Sequence, residues 1–486
     1  MKIFNTQTRK KEDFTPVREG KIGIYVCGIT AYDVCHVGHA RSAVVFDVIT
    51  RYLRYCGYEV TYVKNFTDVD DKIIDRARRE KRGIAEIAET YIRAHDEDMD
   101  ALGVVRPTVT PRATEHIDGM IRLVETLIGK GLAYAVDGDI YYAVEKFPGY
   151  GKLSGRALED MMAGARVDVN EKKRNPLDFA LWKASKEGEP WWDSPWGHGR
   201  PGWHLECSVM SQRYLGDTFD IHGGGEDLIF PHHENEIAQS EGATGKPLAR
   251  FWVHNGFVRV NSEKMSKSLG NFFTIRDILK QYDSEVLRIF LLTSHYRSPV
   301  DFSDAALAEA RQGMDRFYST LETLREHLTG RQDIEATDEG SRKDCAITDQ
   351  LHTLRERFRE AMDDDFNTAR AIGFLFDTIR LLNTSLTGKG AEASPAVLEQ
   401  TENVLREIGK VLGFFSEEPD VYLRRDRERE AAKRGLILAE IETLIAERRA
   451  AREAKEWQRA DEIRKGLAAQ GVILKDTPIA TTWKIA

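Results

Sequence analysis

No apolar run in this 486-residue chain approaches the roughly 20 residues that a membrane-spanning helix needs, and the opening MKIFNTQTRKKEDF lacks the apolar core of a secretion signal. Those two absences predict a cytoplasmic protein with no membrane partner. Cysteine is also scarce: Cys27, Cys35, Cys56, Cys207 and Cys345 are too few and too scattered to staple a chain of this length. In a reducing compartment such residues are buried thiols or metal ligands. A basic surplus is missing too. The formal net charge of −9 argues against a surface coated for nucleic acid, although from Val421 onward 15 Lys and Arg face 11 Asp and Glu, a local +4 that leaves −13 for residues 1–420. An acidic body with a basic tail suits a polyanion docked at one end, or simply a solvated helical surface. No internal repeat is visible.

What remains is an ordinary globular composition, 41% hydrophobic and 31% charged, with length for roughly three domains of about 150 residues. KIGIYVCG reads as a strand closed by glycine, ARSAVVFDVITRYLRYCG as a helix stopped at Gly57, YEVTYV as a strand and DDKIIDRARRE as a helix. That order starts a parallel α/β sheet. From about Thr110 to Pro195 a helix and a Gly-, Trp- and Pro-rich stretch interrupt the rhythm, as an insertion does. Sheet patterning resumes in TFDIHGGGEDLIF and FWVHNGFVRV. Beyond Asp304 the pattern is helical and suggests an antiparallel bundle, with the polar TGRQDIEATDEGSRKD as a surface loop. Two charged amphipathic helices from about Arg427 and a short tail carrying Trp483 complete the chain.

His36 and His39, with Gly38 between them, stand where a strand has ended and a helix begins. A helix start offers unpaired N–H groups and positive dipole, which suit phosphate, and two imidazoles there can donate to phosphate oxygens. An isolated HVGH is better explained by helix capping. The balance moves at KMSKS, where Lys264 and Lys267 sit with Ser266 and Ser268 in a polar segment able to close over a polyphosphate and stabilise departing pyrophosphate. In FPHHENEIAQSEG, Pro231 suits a helix start, and either His232 or His233 could chelate a metal with Glu236; Cys207 and Cys27 could complete a zinc site if the sheet brings them together.

HVGH and KMSKS resemble the two signatures of class I aminoacyl-tRNA synthetases. The runs CGITAYDVCHVGHARSAVVFDV, NFTDVDDKII, GRPGWHLECSVMS, DIHGGGEDLIFPHHENEIAQSE and EKMSKSLGNF are similar to the cysteinyl-tRNA synthetase family along nearly the whole chain. GIT in place of the more usual GPT after Cys27, and valine in HVGH, are mild departures.

The resemblance implies an α/β fold: a Rossmann-like catalytic domain in halves 1–110 and 196–250 around a connective insertion 111–195, a KMSKS-bearing linking domain 251–304, a tRNA-binding helical bundle 305–415 and an anticodon-recognition domain 420–486. It implies His36, His39, Lys264 and Lys267 as catalytic residues, Gly38 and Ser266 as further ATP contacts, and one zinc ion on Cys27, Cys207, His232 and Glu236. Zinc prefers thiolate to hydroxyl and would separate cysteine from serine, which shape alone does poorly. Thr67, Trp203 and Asp227 are candidates to hold the amino acid's backbone groups. ATP with Mg²⁺, L-cysteine and tRNA(Cys) are the expected partners, and a monomer the expected state. Cys35 is expected to be a bystander, Cys56 and Cys345 to be buried thiols, and His204 and His222 gain no partner from the sequence. A cysteine ligase feeding a small amine, a silent tRNA-binding paralogue and a zinc hydrolase are the rivals; the anticodon-like tail and the intact motifs argue against them.

Overall fold

Strand β1 (Lys21–Thr30) buries Ile22 and Ile24 on one face and Tyr25 and Cys27 on the other, as a strand does when helices cover both sides of a parallel sheet. In the computed structural model, which describes residues 1–156, 173–260, 263–264, 273–329, 338–387, 393–476 and 481–485, α1 (Val37–Tyr55) crosses from β1 to β2 (Glu59–Thr67). After the insertion come α2 (Trp203–Leu215), β3 (Phe219–Gly225), α3 (Glu234–Thr244) and β4 (Ala249–Asn255). The strands pair in parallel in the order β4-β3-β1-β2. The chain therefore leaves β1 toward one edge and β3 toward the other, which opens a crevice at their carboxyl ends, where ligands bind in such sheets.

Glycine makes that crevice possible at one point. A Cβ on Gly28 would lie 1.5 Å from the Asn65 carbonyl oxygen, and the β1–β2 register shifts between Val26 and Ile29. The irregularity re-aims the neighbouring side chain, as bulges do, and that side chain is Cys27. The Gly28 amide donates to Asn65 Oδ1 at 2.9 Å.

Between β2 and α2 lie a helix (Ile117–Gly129) and an antiparallel sheet of Ala133–Val136, Asp139–Tyr142, Phe179–Ala184 and Gly199–Pro201, which share one hydrophobic cluster with β1 and α2. A small sheet joins Glu263–Lys264, Val258–Val260 and Val300–Phe302. The chain divides into two units. One holds Met1–Ala310, Thr348–Thr378 and Val404–Phe414; the other holds Arg311–Ile347, Ile379–Asn403 and Phe415–Ala486. The second unit is mainly helical, with Tyr318 stacked on Tyr422 at 3.9 Å and Arg311 paired with Asp426 through two bonds.

Four expectations need correction. Helix Asp338–Asp363 already includes the end of the polar stretch read as a loop. The C-terminal region has three helices, Pro419–Arg434, Leu438–Glu453 and Trp457–Ala469, because Gly435 in the left-handed region ends the first of them. The tail is a hairpin of Val472–Asp476 and Thr481–Ile485. Cys345 is exposed and Cys56 half-buried, so neither is a core thiol. No helix among the described residues is long and apolar enough to cross a membrane.

Candidate functional site

Cys27 arrives from β1, Cys207 from the first turns of α2, His232 from the turn before α3 and Glu236 from α3 itself. All four are buried, and their donor atoms lie within 4.8 Å of one another. Cys27 Sγ is 3.6 Å from Cys207 Sγ and 3.3 Å from Glu236 Oε1, which is 3.1 Å from His232 Nε2. Pro231 does not open the regular helix: Phe230 is extended, and α3 begins at Glu234 after a wide turn over Ile229–His233. A second overlapping set, Cys27, His222, His233 and Glu236, meets the same distance limit. His233 Nε2 lies 3.3 Å from Cys27 Sγ.

The donor set suits a cation. Burial works against its charged groups, yet His222 and His232 hold the Glu236 carboxyl well below the usual range, and the Cys27 hydrogen bond and His232 bring the Cys207 thiol down to about 6. His232, which burial alone would neutralise, is raised to about 10 by Glu236 and Cys207. Burial and Cys207 push the Cys27 thiol well up. A carboxylate and a thiolate thus face one imidazolium among buried groups, an arrangement short of positive charge that a metal ion would complete. Outer partners orient the rings: His204 Nδ1 is 2.9 Å from His232 Nδ1, and His222 Nε2 is 2.8 Å from Glu236 Oε2. His233 Nδ1 meets His254 Nε2 at 2.7 Å, and His254 Nδ1 meets Thr6 Oγ1 at 2.8 Å. His204 and His222, unpartnered on sequence grounds, thus belong to this site. The available signal is a histidine in the middle of a strand buried on both faces, DIHGG.

At the start of α1 the two signature histidines do cap the helix. His36 Nδ1 accepts from the Gly38 amide at 3.0 Å, and His39 Nδ1 accepts from the His36 amide at 3.2 Å, with the rings stacked 3.8 Å apart. Capping fixes the tautomer. Burial lowers His36 to about 4 and holds His39 well below its ordinary value, so both rings are neutral at pH 7 and carry their proton on Nε2. Capping and phosphate donation are therefore compatible, each using a different nitrogen. Because both folded values lie below the ordinary 6.5, the stability they contribute is present above about pH 6.5 and is lost as pH falls toward 4. Urea midpoints should drop across that window, and a His36→Asn/His39→Asn double variant should show a shallower drop; equal slopes would refute the assignment.

The motif following KMSKS touches the same turn. The Val37 amide donates to the Phe273 carbonyl, and the Ile275 amide to the Cys35 carbonyl, both at 3.1 Å. Lys264 ends a short strand, while Ser266 and Lys267 lie outside the described residues. Cys35 is buried, its thiol pushed up to about 12 by burial, and belongs to neither metal set.

Among the amino-acid candidates, the Trp203 ring lies 4.2 Å from that of His232 and is 40% exposed. Thr67 ends β2 and donates to Glu206 Oε2 at 2.6 Å, next to Cys207. Asp227 is exposed on a short turn after β3 and is the least enclosed of the three.

Residues 13–312 match the catalytic domain of class I (C) tRNA synthetases, residues 357–416 the DALR domain, and residues 436–483 the anticodon binding domain of cysteinyl-tRNA ligase. The cysteine–tRNA ligase of Geobacter metallireducens is 57% identical over 486 residues, 100% of this chain and 99% of that one. Those of Geobacter sulfurreducens and Thermodesulfovibrio yellowstonii are 56% and 53% identical at the same coverage. Among solved structures, Mycobacterium tuberculosis methionyl-tRNA synthetase bound by methionyl-adenylate has a TM-score of 0.58 at 17% identity, over 81% of this chain and 90% of that one. Agrobacterium radiobacter LeuRS, in its ternary complex with tRNA, has a TM-score of 0.57 at 14% identity, over 82% and 84%. At those identities the likeness is one of fold. The full-length identities and the three matched domains together place the chain: it belongs to the cysteine–tRNA ligase family of class I aminoacyl-tRNA synthetases.

Proposed function

We propose that Cys27, Cys207, His232 and Glu236 hold a zinc ion that selects the thiol of cysteine, and that the HVGH and KMSKS residues bind ATP beside it. The reaction is cysteine–tRNA ligation. Its first step joins the cysteine carboxylate to the α-phosphorus of ATP, giving cysteinyl-adenylate and pyrophosphate; its second passes cysteine to the terminal adenosine of tRNA(Cys). Of the two overlapping ligand sets, the one with two cysteine sulfurs fits zinc better, since soft sulfur donors favour it. A zinc ion bound there supplies a thiolate-seeking Lewis acid, which a serine hydroxyl satisfies poorly.

The chain's own residues do the rest. His36 and His39 donate Nε2–H to phosphate oxygens, with Gly38 allowing close backbone approach, and Lys264, Ser266 and Lys267 hold the polyphosphate with its Mg²⁺ as charge develops. Trp203 covers the amino acid beside His232, while Thr67 and Asp227 receive its ammonium group. The supporting observation is the convergence of four buried donors from separate elements at the carboxyl end of β1, the strand whose exit forms the HVGH turn. ATP–pyrophosphate exchange measured with each of the twenty amino acids, before and after chelation, tests it. Exchange with cysteine alone, lost on chelation and restored by zinc, is expected; exchange with another amino acid, or indifference to chelation, would overturn it.

For tRNA, Trp457 is the available stacking surface. It is 60% exposed at the start of helix Trp457–Ala469, whereas Trp483 packs on the cluster of Ile441, Ile463, Leu467 and Val472, with Arg427 over its ring. Base stacking on an aromatic ring contributes about 1–3 kcal/mol. Trp457→Ala should therefore raise the KM for tRNA about tenfold and leave pyrophosphate exchange unchanged; an unchanged KM would assign Trp457 no role in tRNA binding.

A further inference from the structure

We infer that Arg276, held by Asp98, is a positioning residue for adenylate formation: it fixes the chain that emerges from KMSKS against the HVGH turn. This rests on the reading of those two motifs as the ATP site. The strand-like contact between them is minimal, two backbone hydrogen bonds joining Phe273 and Ile275 to Val37 and Cys35 around a His36–Thr274 bridge. Two bonds at the edge of a helix start do not by themselves hold a segment to the tolerance that chemistry requires.

Arg276 supplies the missing restraint. Its Nε donates to Asp98 Oδ1 at 2.7 Å, and its Nη2 to Glu97 Oε2 at 2.8 Å and to the Ala94 carbonyl at 3.0 Å. All three acceptors lie in the last turns of helix Ile84–Ala101, the end where a cation is favoured by the helix dipole. The forked guanidinium thus grips one rigid element at several points, which fixes direction as well as distance. Asp98 is only 2% exposed, and its carboxylate also faces the Cys35 amide, one residue before His36. A single buried carboxylate therefore holds the arginine that anchors the segment after KMSKS and faces the turn that carries His36. On the other side, the Phe273 ring lies 4.9 Å from that of Phe302, in the small sheet that also contains Glu263–Lys264. Both ends of the KMSKS segment are thereby referred to one frame that includes the helix start of α1.

In-line attack at phosphorus depends on placement, and a misplacement of about 1 Å is enough to lower a rate roughly 100-fold. The role predicts a selective defect. Arg276→Ala should lower kcat for cysteine-dependent pyrophosphate exchange by roughly 10- to 100-fold and raise the KM for ATP, with the KM for cysteine and the metal content unchanged. Transfer of cysteine from preformed cysteinyl-adenylate to tRNA, followed in a single turnover, should be unaffected. Arg276→Lys keeps the charge without the fork and should recover part of the loss; it also serves if the alanine variant does not fold. Equal losses in exchange and in transfer, or a fall in unfolding midpoint with no change in the ATP parameters, would overturn the inference. His39→Asn separates this from the underlying reading. If it keeps full exchange, the assignment of the ATP site fails; if it loses exchange while both Arg276 variants retain it, only the positioning role fails.

Discussion

Replacing Cys207 by serine should strip the metal from the protein and lower cysteine-dependent pyrophosphate exchange by at least about 100-fold, the upper end of the loss produced even by disturbing the outer partners of a metal ligand. Serine keeps the shape and a hydrogen-bonding group, so the turn of α2 has no reason to move. What changes is the donor: against the effect of burial, the Cys207 thiol is held down at about 6 by the Cys27 hydrogen bond and by His232, whereas a hydroxyl in that position stays protonated. The same substitution discriminates between the two overlapping ligand sets. Cys207 belongs to only one of them, and His233 only to the other. Metal retained by Cys207→Ser but lost on replacing His233 by asparagine would assign the ion to the second set. Cys35→Ser is the matched control and should leave metal content unchanged, since Cys35 lies in neither set. Metal content by elemental analysis and exchange with cysteine are the two readouts.

Replacing Arg288 by methionine should destabilise the first unit by about 3–5 kcal/mol, the typical effect of removing one partner of a buried ion pair. Arg288 is 1% exposed, and its Nη2 donates to Asp47 Oδ2 at 2.6 Å. Its remaining donors reach the carbonyls of Leu102 and Leu412, at the ends of helices Ile84–Ala101 and Pro395–Leu412. Two helix termini with surplus carbonyls thus converge on one guanidinium, which their dipoles favour. The fit leaves no slack: Gly413 has φ +73°, and a Cβ there would lie 2.2 Å from Arg288 Nη2. Asp47 keeps Arg51 and the Val105 amide as partners, so the loss should sit at the lower end of that range. Urea unfolding measures it. Adding Asp47→Asn to the methionine variant should cost less than the sum of the two single changes, because the second removes the charge the first left unpaired; full additivity would refute the pairing.

Much of the site is legible in the sequence because its chemistry is written in short strings. Cysteine, histidine and glutamate at these positions, and the alternation of strand, glycine turn and helix, are local properties. The apolar runs of β1 and β3 already demand cover on both faces, which is why the parallel sheet can be read from them. Less legible are features where a chain end or an irregular backbone decides. The wide turn before α3 and the third C-terminal helix depend on local backbone choices that a hydrophobic period does not register. Cys345 is exposed where a buried thiol is expected, because a lone cysteine says nothing about which face of a helix it occupies.

The outer partners are hidden for a different reason. His204, His222 and His254 are separated in sequence, and each looks like an isolated ring until α2, β3 and β4 come together around His232, His233 and Glu236. The same holds for Asp98 and Arg276, 178 residues apart. The sequence by itself determined which chemical groups are present, the parallel α/β core and the family to which the chain belongs. Only the tertiary structure decided which nitrogen of each signature histidine caps the helix, how the rings around the candidate metal ligands are oriented, and how Phe273 to Arg276 meet the turn of Cys35 to Val37. The physical reason is that hydrogen-bond direction and ligand convergence depend on distances between elements far apart in the chain, and those distances are set by packing rather than by local pattern.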